Sequence, residues 1–188
     1  MSLIILGVLL WSTAHLFKRL APDARRALQD KMGNASKALF AVALAASVVL
    51  MVVGYKGNTA PILYVAPDWA VHVNNTLMLI AIALFGVGNS QSHLRGAIRH
   101  PMLIGFLLWT IAHLLVNGDL ASIVLFGGLG VWALAAIVLI NRQDTGYVRW
   151  TGGTLKGDLR LGLIALVLYG VATAIHWWLG VRPFPMVG

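Results

Sequence analysis

The sequence predicts an all-α integral membrane bundle of about six transmembrane helices, and three observations carry that prediction. Hydrophobic residues fill 59% of the 188 positions and charged residues only 11%, whereas soluble domains carry roughly a quarter charged residues. Apolar stretches recur at lengths near the roughly 20 residues that cross a hydrocarbon core. Basic residues collect in alternate connections between those stretches. Such a chain cannot clothe a globular surface with polar groups, so lipid must cover it.

The spans read as residues 3–17, 38–55, 70–88, 102–117, 120–140 and 159–180, within a single membrane domain covering 1–188. The first is short and resembles a secretory leader, but it lacks a basic n-region and an A-x-A cleavage site, so it is expected to be retained. Asn58, Pro61 and Pro67 interrupt the chain after the second span. Pro101 opens the fourth, where its missing N–H does no harm. Asp119 and Asp158 occupy the expected N-cap positions of the fifth and sixth. The glycines of Gly127–Gly130 lie inside the fifth span, where small residues permit close helix packing. Pro183 and Pro185 follow the sixth. No internal repeat marks a second domain.

Charge orients the bundle. Lys18, Arg19, Arg25, Arg26, Lys31 and Lys37 fill the first connection, Arg95 and Arg99 the third, and Arg142, Arg149, Lys156 and Arg160 the fifth and the base of the last span. These are 12 of the 14 basic residues, leaving only Lys56 and Arg182 elsewhere. The positive-inside rule then puts the basic connections in the cytoplasm and both termini outside. The net charge of +8 fits basic loops against anionic inner-leaflet lipid, and no nucleic-acid partner is needed to explain it.

Several chemistries are excluded. The absence of cysteine removes disulfides, thiolate ligands, iron–sulfur clusters and covalent c-type haem attachment, so any haem would be b-type. No HExxH, P-loop, GxSxG or dinucleotide fingerprint occurs. The six acidic residues lie in loops or at span ends, which argues against a carboxylate proton relay through the membrane.

The six histidines are what remains to be explained, because an ionisable ring within hydrocarbon is a functional hypothesis by default. At 1.5 Å rise per residue, His72, His113 and His176 fall near the outer boundary of the bilayer. His15 and His100 fall at the inner one, and His93 in the third connection. A haem needs one or two imidazoles meeting one iron from facing helices, and the outer trio meets that depth condition. Gly105, Trp109, His113 and Asn117 recur at i+4 on one face: a small residue, a large ring to wall a planar ligand, then a ligand. Tyr169, Thr173, His176 and Trp177 make a comparable face on the sixth span. Asn75 and Thr76 share a face with His72 and are placed to orient its ring.

Plain alternatives accompany each. A histidine near a helix end often bonds only a carbonyl or interfacial water, which applies to His72, His176 and His15 taken singly. Trp177 and Trp178 read as interfacial-belt aromatics. His93 reads as solvated, and His100 as an anchor of the fourth helix or a residue meeting a headgroup.

The run Arg99-His100-Pro101-Met102-Leu103-Ile104-Gly105, with Trp109, Ala112-His113-Leu114-Leu115 and Asn117-Gly118-Asp119-Leu120-Ala121-Ser122, resembles the signature of the NnrU family. Ala14-His15-Leu16 and His176-Trp177-Trp178 are also similar to it. The resemblance implies a bacterial inner-membrane protein with periplasmic termini, associated with nitrogen-oxide metabolism and denitrification. Plant and cyanobacterial relatives of the family are 15-cis-ζ-carotene isomerases with a histidine-ligated haem b. It implicates His15 and His113 most directly, with His72 as a third. Depth separates His15 from His113 by roughly 15 Å, so His113 is paired with His72, or with His176, and His15 is kept as an alternative ligand.

The expectation is therefore a haem b-binding membrane protein with a hydrophobic or small gaseous ligand, acting as a haem-dependent isomerase or a redox- and gas-responsive protein. The alternative is a non-catalytic accessory or transport factor for nitrite or nitric oxide reductase. The RHP run also resembles membrane methyltransferases of the isoprenylcysteine type, whose polar, acidic C-terminal segment has no counterpart here.

Overall fold

The computed structural model describes residues 1–184 and is an all-α membrane bundle. Pro185 lies outside the described residues. The helices are α1 (Ser2–Leu20), α2 (Pro22–Met32), α3 (Ala35–Lys56), α4 (Ala70–Val87), α5 (Leu94–Ala97), α6 (Pro101–Val116), α7 (Leu120–Gln143) and α8 (Leu155–Trp178). Five of these are long and apolar enough to cross a membrane, and α6 is a shorter apolar helix. The surface is inverted relative to a soluble protein. Val42 on α3, Val131 on α7 and Leu159 on α8 are each about two-thirds exposed, as expected of faces turned to lipid.

With no hydrophobic force between helices in lipid, close packing has to hold the bundle together. The most extensive pairs are α1 with α3 and α4 with α6, and small residues explain both. A Cβ at Gly105 would stand 2.8 Å from the Ala81 carbonyl oxygen and 3.0 Å from the Leu84 Cβ. On the other pair, a Cβ at Gly54 would stand 2.8 Å from the Ile4 amide nitrogen. Ile4, Val8, Met51, Ala121 and Leu129 form one core between α1, α3 and α7. Buried Ser47 and Thr110 satisfy themselves on the carbonyls of Leu44 and Leu107, three residues back.

The caps partly follow expectation. Asp119 caps α7, its Oδ1 accepting from the Ser122 amide at 2.9 Å. Asp158 does not cap the last helix. Thr154 does, with Oγ1 accepting from the Gly157 amide at 3.0 Å, so the helix begins a turn earlier. The Asp158 carboxylate is drawn instead to the connection before α6, where it accepts from Ser92 Oγ (2.6 Å), the His93 amide (3.0 Å) and His93 Nδ1 (2.7 Å). His93 is thus paired rather than merely solvated. His100 anchors α6, its Nε2 2.8 Å from Asn141 Oδ1 on α7.

Two features have no counterpart in the span pattern. The first connection contains α2, a polar helix with Pro22 in its first turn and no buried residue. Within α7, Ile123–Gly127 is π-helical, and such bulges in α-helices often sit at functional sites.

The connection between α3 and α4 is strapped across the turn between α6 and α7. The amides of Leu63 and Tyr64 donate to the Gly118 carbonyl at 2.8 and 3.2 Å, and the Leu120 amide donates to the Pro61 carbonyl at 3.0 Å. A side chain at Gly118 would overlap the Tyr64 carbonyl, so only glycine permits the approach.

Candidate functional site

A cavity of about 430 Å³ opens among α3, α4, α6, α7 and α8, at the end of the bundle where the strap lies. That is within the roughly 300–1,000 Å³ of small-molecule sites. Val71, Met78, Ile82, Val116 and Phe126 supply apolar wall, and His113 and His176 both line it. Two of the sequence-predicted histidines are therefore brought together, from α6 and α8.

Both rings are held alike. His113 Nδ1 lies 2.9 Å from the Trp109 carbonyl, and His176 Nδ1 lies 2.7 Å from the Ala172 carbonyl, each four residues back on its own helix. A carbonyl oxygen only accepts, so Nδ1 carries a proton, and the neutral form of either ring keeps its lone pair on Nε2. A bond on the other nitrogen that fixes tautomer and orientation is what metal-ligating histidines ordinarily show. His113 is further braced by Phe126, with ring centroids 4.6 Å apart and planes 26° from parallel, and by Trp109 at 5.0 Å.

A hydrogen-bonded chain enters the same cavity. The Tyr55 hydroxyl, on the cavity wall, lies 2.8 Å from Ser122 Oγ, which donates to Asp119 Oδ2 at 2.5 Å. Ser122 spends its proton on the carboxylate, so Tyr55 donates to Ser122. At the mouth, Asn75 Nδ2 donates to the Pro183 carbonyl at 2.9 Å and ties the chain beyond α8 to α4.

The other predicted residues lie elsewhere. His72 is exposed at the start of α4 and is not part of the cavity wall. Its expected supports do other work: Thr76 Oγ1 donates to the His72 carbonyl, and Asn75 holds Pro183. Gly105 serves the approach of α4 rather than a ligand. Trp109 stands behind His113, between Phe106 and Phe126. Trp177 is more than half exposed. His15 belongs to an aromatic cluster with Trp11 (4.2 Å) and Trp132 (4.8 Å), its Nδ1 3.0 Å from the Trp11 carbonyl. Phe106 and Trp109 continue that cluster toward His113.

Tyr55, Asn74 and Phe126 were not foreseen as site residues. Apolar spans carry no period that marks an inward face, although a tyrosine near the end of an otherwise apolar helix was a usable signal for Tyr55.

A family model described as NnrU protein matches residues 3–183. The chain belongs to the NnrU family. No curated protein and no solved structure matches it. The NnrU match embraces every helix of the bundle and both cavity histidines.

Among the described residues no three His, Asp or Glu side chains converge to hold a bare metal ion. Two fixed imidazoles and an apolar wall suit a different demand. A porphyrin brings four nitrogens of its own and asks the protein only for axial ligands and a dry pocket. Such a group would be held in this NnrU protein by His113 and His176, with Phe126 and the aliphatic wall on one side and Asn74, Asn117 and Thr173 among the polar lining.

Proposed function

We propose that this chain is a haem b protein of the membrane, in which His113 and His176 would hold the group. The observation that carries the reading is their shared arrangement: two imidazoles from different helices line one cavity, each with Nδ1 tied to a carbonyl and Nε2 left for a metal. The bound group would supply a redox-active iron, the chemistry needed to respond to a small gas or to act on a polyene. The protein's own part is to hold the two rings and exclude water with Phe126 and the aliphatic wall. In keeping with the family, the reading assigns the protein to nitrogen-oxide metabolism at the bacterial inner membrane, as a gas-responsive or isomerase-like protein. The basic end would face the cytoplasm and both termini the periplasm.

The deciding experiment is an absorption spectrum with iron analysis of detergent-purified protein. A Soret band lost or strongly shifted in both His113→Ala and His176→Ala is expected. Colourless, iron-free protein from haem-replete cells overturns the reading and favours an accessory role beside nitrite or nitric oxide reductase.

A further inference from the structure

A separate cavity of about 240 Å³ lies at the basic end of the bundle, lined by Gly88, Arg95, Arg99, Pro101, Tyr147 and Trp150. Both arginines are held by stacking. The Arg95 guanidinium carbon lies 4.9 Å from the Trp150 ring centroid, and that of Arg99 lies 4.5 Å from Tyr147. Stacking on an aromatic face fixes the plane of a guanidinium and leaves its N–H edge free to fork onto an anion. Arg99 Nη2 donates to the Asp144 carbonyl at 2.7 Å and Nε is buried, so an anion would meet this guanidinium through Nη1. Arg95 reaches the Ser90 carbonyl at 3.4 Å.

The local balance favours an anion. Asp144 approaches Arg99 at 3.9 Å but is half exposed, and two guanidinium groups share the cavity. A phosphate offers several oxygens to two such forks, which a single carboxylate cannot do as well. Apolar residues border the arginines: Ile98 and Val148 line the cavity, and Val148 is 86% exposed. A charged pocket with an exposed apolar rim at the end of a membrane bundle matches a molecule that carries a phosphate on a hydrocarbon tail. Basic pockets between membrane helices are known to take lipid headgroups.

The geometry points to a binding site for the phosphate of an anionic phospholipid at the basic end of the bundle, gripped by Arg95 and Arg99. The test is native mass spectrometry of the full chain in detergent, titrated with phosphatidylglycerol, phosphatidylcholine or inorganic phosphate. Preference for phosphatidylglycerol is expected, weakened about 30-fold in Arg95→Gln/Arg99→Gln and kept in Arg26→Gln/Lys31→Gln, which removes equal charge elsewhere. Gly88→Leu provides a second arm that leaves both charges in place. Gly88 lines the cavity and a Cβ there meets nothing within 4 Å, so a leucine has room to start and should crowd the site and weaken binding. Equal binding by the wild type and both pocket variants overturns the assignment, as does an equal loss in the control. Tight inorganic phosphate with no lipid preference overturns the lipid as the source.

Discussion

Phe126 lies nearly parallel to His113 at 4.6 Å, and it does so from the π-helical turn of α7. The same ring meets Trp109 edge-on at 5.1 Å and Tyr55 at 6.5 Å. Phe126→Leu should keep the apolar volume while removing these aromatic pairs, each worth about 0.5–1.5 kcal/mol. A fall in melting temperature of roughly 2–4 °C per kcal/mol lost is expected, read by near-ultraviolet circular dichroism. An unchanged transition would show that the stacked ring contributes nothing to the α7 turn.

Gly118→Ala should be among the most damaging small substitutions in the chain. The added methyl overlaps the Tyr64 carbonyl, so the strap between α3 and α4 must lift, at a cost of about 1–3 kcal/mol. Limited proteolysis should cut between residues 57 and 69 faster than in the wild type. Gly162→Ala meets nothing within 4 Å and should be neutral or stabilising by up to about 1 kcal/mol. Equal effects of the two would contradict the packing described.

Asp119 gives the turn between α6 and α7 a pH dependence. Burial pushes its carboxyl upward, but hydrogen bonds from the Ser122 side chain and from backbone amides, Ser122's among them, outweigh burial and hold it below the usual carboxylate range. A group depressed on folding stabilises the protein at pH above its unfolded value and loses that stabilisation as pH falls through the folded value. With an ordinary aspartate near 3.9, the melting temperature should fall more steeply below about pH 4 in the wild type than in Asp119→Asn. The amide keeps the cap without titrating. Parallel curves would refute the assignment.

The positions of the histidines yield a spectroscopic prediction that rests on the haem reading. His72→Ala should leave any Soret band unmoved, because His72 is exposed outside the cavity. His15→Ala should do the same while lowering thermal stability, since His15 packs on Trp11 and Trp132. Loss of absorbance in His15→Ala with His176→Ala unaffected would move the ligand pair to α1 and α6.

Much of this architecture was legible because length and charge speak directly to a bilayer. Pro101 opens α6 and Asp119 caps α7, both local effects that need no neighbour. Asp158 was misjudged for the opposite reason: Ser92 and His93, far away in sequence, capture its carboxylate and leave the cap to Thr154. The helix α2 was missed because span length is silent about a polar helix. The site was half legible. Depth placed His113 and His176 near one level, but it placed His72 there too. Only azimuth separates them, and a helix that is apolar all round carries no azimuthal mark.

The amide of Asn75 fastened to the Pro183 carbonyl bears on how guests reach the histidines. This bond contributes about 1 kcal/mol net. It acts beside the backbone bond from the Val181 amide to the His176 carbonyl at 2.9 Å, and Arg182 between them is engaged as well. Residues 181–183 thus close one side of the chamber from beyond the spanning helices, so a substitution there would reshape access to the histidines without touching the packing between helices.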